Sequence, residues 1–255
     1  MLVKAAINGG RSKTEHAAVP VSPDEQASAV VECLRAGANA IHLHVRSSAS
    51  YRSQSHGEGI SAEKESLDPE NVAATLEAVS AAAPIASIGV STGAWILPHP
   101  ARLEAVAAWE VLPGFASVNF GEDGAAELAA LLLSRGVGVE AGLCDAAAAE
   151  VFLKSGVAAN CIRVLLEPQE QEMKQALENV AAMEKVLSSA VFQVPPLLLH
   201  GTEASVWPMM DEAIARRYDV RVGLEDTLVL PDGKVARDNV ELITEAVRRA
   251  RATGP

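Results

Sequence analysis

Aromatic residues make up only 4% of this 255-residue chain. So few leave little material for the stacking platforms that bind single-stranded nucleic acid. Basic residues are also in deficit, with 21 Lys and Arg against 33 Asp and Glu and a net charge of −12. A chain of this charge repels phosphate backbones and anionic bilayers, so no nucleic-acid or membrane partner is expected. There are three cysteines, Cys33, Cys144 and Cys161, and no Cys-x-x-Cys pair. They read as small buried hydrophobes, without a disulfide framework or a thiolate metal knot, and a reducing cytoplasm is the expected setting. No apolar run approaches the ~18 residues of a membrane span. The opening Met1–Asn8 stretch is too short for a signal peptide. No Gly-x-Gly-x-x-Gly follows the first apolar run, which removes the dinucleotide-binding fingerprint.

What the chain does have is apolar aliphatic residues, with 49% hydrophobic content and a mean hydropathy of +0.16. Short apolar runs alternate with longer segments that begin on Ser, Asp or Pro and stop at Gly. Strands are expected over residues 3–8, 39–45, 84–90, 115–120, 137–141, 161–166, 196–200 and 219–224. Helices are expected over 23–36, 68–82, 100–110, 123–135, 145–154, 168–189, 204–217 and 236–252. Ser22-Pro23-Asp24-Glu25 is a strong helix start, with a capping Ser, a Pro at the first position and a Glu at the third. Near-continuous apolar strands alternating with helices mean a parallel sheet covered on its outer face. Eight such units in a chain of roughly 250 residues fit one (β/α)8 barrel spanning 1–255. Residues 47–67 break the rhythm. Rich in Ser, Gly, Glu and Gln, they read as a lid or a subunit-interface loop.

In such a barrel the chemistry lies at the carboxyl ends of the strands. The uncommon polar residues fall there. Glu15 follows strand one; His42, His44 and Arg46 end strand two; Ser91 and Thr92 end strand three. Ser117 and Asn119 end strand four, Glu140 strand five and His200 strand seven; Arg221, Glu225 and Asp226 end strand eight. His42 and His44 share one strand face, because side chains alternate with period two. Two imidazoles side by side in an apolar strand suit a metal ion, and two histidines with one glutamate is a known catalytic Zn²⁺ set. Glu225 is well placed as the third ligand, since alternate strands supply one layer of the barrel. Glu15 and Glu140 are weaker candidates for the same place. The competing reading is a pair of core histidines satisfied by the backbone. In Arg221–Asp226, one carboxylate can bind metal while the other stays free as a base, with Arg221 gripping it in bidentate fashion; the alternative is a salt-bridge ring at the barrel mouth. Ser91, Thr92, Ser117 and Asn119 offer hydroxyl, amide and backbone donors for carboxylate or enolate oxygens, or ordinary turn chemistry. His200 reads as a group behind the site, and His16, His56 and His99 as solvated. Trp95 and Trp207 either flank the pocket or pack.

Ile41-His42-Leu43-His44-Val45-Arg46 and Arg221-Val222-Gly223-Leu224-Glu225-Asp226, taken together, resemble the β-keto acid cleavage enzymes of the 3-keto-5-aminohexanoate cleavage type. So do Ala5–Gly10 with Glu15 and Pro20–Pro23, Ser91-Thr92-Gly93 and Ser117–Phe120, in the same order along nearly the whole chain. The resemblance implies a Zn²⁺-dependent TIM barrel, a homo-oligomer (tetramer or dimer), that reacts a β-keto acid with acetyl-CoA to give acetoacetate and a new CoA thioester. It implies His42, His44 and Glu225 as metal ligands with Glu15 near the metal. It further implies Asp226 as the base, positioned by Arg221, and Ser91, Ser117 and Asn119 as groups that hold the keto acid. Arg46 is a candidate for the anionic end of substrate or CoA. Three departures bear on the substrate: Ser47 stands where the family usually has Asp, the loop after strand two is Ser- and Gly-rich, and His200–Pro208 lacks the Gly-rich run. The alternatives are a Zn-dependent hydrolase, which needs further histidines, and a non-catalytic metal-binding barrel, which has no need of Arg221 beside Asp226.

Overall fold

The computed structural model describes residues 1–47 and 64–252. Its core is a closed barrel of eight parallel strands in sequential order: β1 (Val3–Ala6), β2 (Ala40–Leu43), β3 (Ile88–Ser91), β4 (Phe115–Asn119), β5 (Gly138–Leu143), β6 (Arg163–Leu166), β7 (Leu197–Leu199) and β8 (Asp219–Val222). The β1–β8 pairing that closes it sets Lys4 against Arg221. Around the barrel run α1 (Pro23–Ala36), α2 (Pro69–Ala82), α3 (Ala101–Ala107), α4 (Ala125–Ser134), α5 (Ala146–Lys154), α6 (Met173–Leu187), α7 (Val206–Arg216) and α8 (Asn239–Ala252). The expected (β/α)8 barrel is therefore present. No helix among the described residues is long and apolar enough to cross a membrane.

Local chemistry explains the boundaries. The Ser22 and Glu25 side chains form a reciprocal capping box at the start of α1, and Gly37 ends it at φ 110°. β3 starts four residues later than the hydropathy implies. Ala83–Ala86 makes a turn, with the Ala86 N–H donating to the Ala83 carbonyl, and Ile85 is fully exposed. α6 starts late for a related reason. The Glu172 carboxylate caps it by accepting from the Lys174 and Gln175 amides, so Pro168 belongs to the loop before it.

Side chains pointing outward from the strands, such as Ile41, Leu43, Val90, Val118, Val164 and Val220, are buried in one apolar layer against the helices. Inward positions differ. Phe115 fills the barrel centre only because Gly89 faces it, where a Cβ would overlap the ring. Toward the amino-terminal ends of the strands, Lys4 and Glu140 pair at zero exposure, and Arg163 links Glu140 to Asp219. This network is a correction for Glu140, which serves the barrel interior. It faces Lys4 and Arg163 and takes no part in the cluster at the mouth. Burial opposes its charge, but the two cations outweigh burial and hold the carboxyl below its usual range.

The polar stretch expected over 47–67 falls largely at 48–63, outside the described residues, as does His56. Its two ends are described. Arg46 and Glu65 form an antiparallel bridge; the Ser47 amide donates to the Lys64 carbonyl at 2.7 Å, and the Ser66 amide to the Val45 carbonyl at 2.9 Å.

Candidate active site

His42 and His44 continue β2 into the mouth of the barrel, with the intervening Leu43 turned to the helices. Past the end of β1 the Asn8 side chain takes over the strand ladder. Its Oδ1 accepts from the His44 amide at 2.8 Å and its Nδ2 donates to the His44 carbonyl at 2.9 Å. Asn239 ties β8 to β1 in a similar way, accepting from the Leu224 amide and donating to the Ile7 carbonyl, each at 2.8 Å. Glu225 then reaches back over Gly9, whose positive φ of 52° and missing Cβ let the carboxylate stem pass.

The result is a three-residue cluster. His42 Nε2 and His44 Nε2 lie 3.1 Å apart; Glu225 Oε2 is 3.6 Å from the first and Oε1 3.4 Å from the second. The ligand atoms of all three lie within 4.8 Å of one another. Glu225 Oε2 and His42 Nδ1 are buried without a hydrogen-bond partner among the described residues. Two ring nitrogens and a carboxylate oxygen aimed at one point, with one oxygen otherwise unsatisfied, fit a divalent cation of nitrogen and oxygen preference. Burial holds His42 well below its usual pKa and therefore neutral, as a ligand must be. Burial also opposes charge on His44, but the Glu225 and Glu65 carboxylates outweigh it and raise that imidazole to about 9, so a cation bound there would have to displace the proton on Nε2 and leave the one on Nδ1. Glu225 is driven well below the usual carboxylate range, because Arg221 and then His44 overcome its burial.

Beside the cluster, Arg221 grips Asp226. Its Nε donates to both carboxylate oxygens at 3.2 Å and its Nη2 to Oδ1 at 2.8 Å, while Nη2 also donates to Glu225. Arg221 and Asp226 are almost wholly buried. A cavity of about 390 Å³ opens in front of them, lined among others by Trp95, Asn119, Glu167, His200, Arg221 and Asp226. His200 Nε2 lies 3.2 Å from Glu167 and its Nδ1 3.9 Å from Asp226, so the residue sits beside Asp226 in the cavity wall.

The structure therefore brings together His42, His44, Glu225, Arg221, Asp226 and Asn119. The Asn119 Nδ2 donates to Glu122 at 2.9 Å, and Glu122 in turn accepts from Arg102 and the Ala94 amide. Ser91 and Ser117 are register partners on β3 and β4. The Thr92 hydroxyl donates to the Ser117 carbonyl at 2.6 Å. Two residues stand apart. Glu15 lies on a turn with its side chain 46% exposed, accepting from the Ser12 amide and Arg11. The Arg46 guanidinium is buried and donates to the Gly9 and Arg11 carbonyls, bracing the loop after β1. Trp207 packs, its indole N–H donating to the Val229 carbonyl at 2.9 Å, whereas Trp95 flanks the site.

Three participants escape a reading of the sequence. Glu167 directly follows β6, and the strand-end rule applied evenly would have included it. Glu122 sits in a Gly-Glu-Asp turn that reads as a helix start. Glu65 lies at the far end of a polar stretch with nothing to mark it.

The chain is 26% identical over 271 residues to the 3-keto-5-aminohexanoate cleavage enzyme of Fusobacterium nucleatum subsp. nucleatum, an alignment covering all of this chain and 92% of that protein. Among solved structures, ObcA in ternary complex with a C4-CoA adduct and oxalate superposes with a TM-score of 0.71 at 16% identity over 92% of this chain. ObcA in binary complex with oxaloacetate gives 0.69 at 17% identity over 90%. This chain spans 64% and 63% of those two chains, and at such identity the likeness speaks to the fold. The model of the β-keto acid cleavage enzymes matches residues 1–255, and by that match over its whole length the chain belongs to the β-keto acid cleavage enzyme family.

Proposed function

We propose that this protein is a zinc-dependent enzyme that reacts a β-keto acid with acetyl-CoA to give acetoacetate and a new acyl-CoA. The observation that carries the reading is the placement of a two-histidine, one-glutamate cluster beside an Arg-gripped carboxylate at one barrel mouth. The CoA adduct in the ObcA ternary complex supports a CoA thioester as the second substrate here. His42, His44 and Glu225 would hold the ion, which as a Lewis acid lowers the pKa of the keto acid's α-carbon.

The remaining work falls to the chain's own groups. Asp226 accepts the α-proton. Arg221 fixes the orientation of that carboxylate and offsets the charge of two neighbouring acids. Ser91, Ser117 and Asn119 orient the keto acid, and Glu122 fixes the Asn119 amide so that it presents one rotamer. The enolate carbon attacks the acetyl thioester, forming one C–C bond and releasing CoA thiolate. The thiolate then adds to the original keto carbonyl. The bond between that carbon and the α-carbon breaks, and protonated Asp226 returns its proton to the carbanion of acetoacetate. One proton is borrowed and returned, so no further acid is consumed.

His200 is paired with Glu167 rather than joined to the cluster, which counts against a hydrolase that needs more histidine ligands. A homo-oligomer in the cytoplasm is part of the same reading, and sizing by light scattering tests the assembly. The decisive experiment incubates a panel of β-keto acids with acetyl-CoA and follows acetoacetate. Wild type should turn over at least one with about one Zn²⁺ per chain, as three-ligand sites do. Asp226→Asn should keep metal and fold but lose about 10²–10⁴ in rate, the usual worth of a general base. Turnover unchanged in that variant would remove Asp226 as the base, and an intact site that takes up no metal would end the zinc reading.

A further inference from the structure

We infer that Glu65 is the positioning residue of the metal centre: its carboxylate accepts the His44 Nδ1 proton, so that Nε2 is the nitrogen offered to the ion, and Trp95 locks the pair from outside. The inference rests on the metal reading above.

A neutral imidazole carries its proton on one nitrogen and a lone pair on the other. Ligation through Nε2 requires the proton on Nδ1, and in a buried site that N–H needs an acceptor. His44 is 3% exposed, and its Nδ1 lies against Glu65 Oε1 while its Nε2 faces His42 and Glu225. His42 lacks such a partner, since its Nδ1 is buried without one among the described residues. The two ligands are therefore unequal. His44 is the imidazole held in one tautomer and one ring orientation.

Glu65 is itself fixed in three ways. Its backbone pairs with Arg46 directly beside the ligand strand. The amides of Ser47 and Ser66 tie the two chain segments together on either side of that bridge. Its carboxylate accepts from the Trp95 indole N–H at 3.0 Å to Oε2. Trp95 also stacks on the His44 ring, with centroids 6.2 Å apart and planes 25° apart. That indole lies where a Cβ on Gly93 would be, so Gly93 gives it room to fold back. Most of the Trp95 side chain faces outward, with the residue 59% exposed, which makes it an outer wall rather than core packing. A carboxylate on the far nitrogen also raises the basicity of the ligating one, and loss of such a partner typically costs 10–100-fold in metal affinity.

The test is Zn²⁺ affinity by competition with a chromophoric chelator, together with the visible spectrum of the Co²⁺-substituted protein. Glu65→Ala should bind Zn²⁺ about 10–100-fold more weakly than wild type and shift the Co²⁺ bands. Glu65→Gln keeps an acceptor without the charge and should fall between the two. It is also the near-isosteric variant that gives the answer should alanine lose the fold. Trp95→Phe keeps the stacked ring and loses the donor, and should weaken binding less than Glu65→Ala. Wild-type affinity and an unshifted Co²⁺ spectrum in both folded Glu65 variants would overturn the inference while leaving the metal reading intact. A wild-type protein that binds neither ion would overturn both.

Discussion

Gly9→Ala is a small change that should reach the proposed metal centre without touching a proposed ligand. At Gly9 φ is +52°, and a Cβ built there lies 2.9 Å from Glu225 Cβ and nearer still to Cγ. An alanine in the left-handed region costs roughly 1–2 kcal/mol. Forcing an extra carbon into packed surroundings adds typically about 1–3 kcal/mol. The metal-free variant should therefore be about 2–5 kcal/mol less stable, with Tm lower by about 2–4 °C for each kcal/mol in a chain of this size. Ordinary contact begins at 3.4 Å, so the Glu225 stem must retreat by half an ångström or more. Metal–ligand distances tolerate only about 0.2 Å, so Zn²⁺ affinity should fall as well. Urea denaturation of the metal-free protein measures the first effect, and chelator competition the second. Wild-type stability together with wild-type affinity would refute the close approach of Gly9 to Glu225, and with it the account of how the β1 loop seats that ligand.

Arg221→Met removes the cation shared by two buried acids. It should cost the metal-free protein about 3–5 kcal/mol, the usual penalty for breaking a buried pair. Saturating Zn²⁺ should recover part of that loss, because the ion offsets the charge on Glu225; denaturation with and without Zn²⁺ reads both. Glu140 has its carboxyl below 4.5 in the folded state, so its stabilisation is present above that pH and is lost as pH falls. Glu140→Gln should therefore flatten the acid limb of the stability curve below about pH 4.5, and lower stability near neutrality by leaving Lys4 and Arg163 short of a partner. Stability measured from pH 3 to 7 checks both signs.

Much of the fold was legible because the barrel is written in local terms. Capping at Ser22, stops at Gly37 and Gly136, and short buried strands each follow from short stretches of sequence. The misplaced edges, at β3 and α6, came where an apolar Ile85 stays in solvent and where a Glu172 cap overrules the Pro before it. The candidate ligands were legible for the same kind of reason: period two puts His42 and His44 on one face, and topology alone brings strand eight beside strand one.

The order of the elements, the kind of barrel they close, and the gathering of polar residues at the strand ends can all be read from spacing along the chain. Which of those polar residues share a site cannot, because it is settled by the folded arrangement. Glu140 and Glu225 both lie on inward-facing paths, yet one neutralises Lys4 at the closed end and the other meets two imidazoles at the open end. Glu65, 21 residues beyond His44, becomes its partner because the chain returns to pair with Arg46. Such choices are made by distance and burial between segments remote in sequence. The energy of a buried charge depends on what stands within a few ångströms, and the order of residues does not record that.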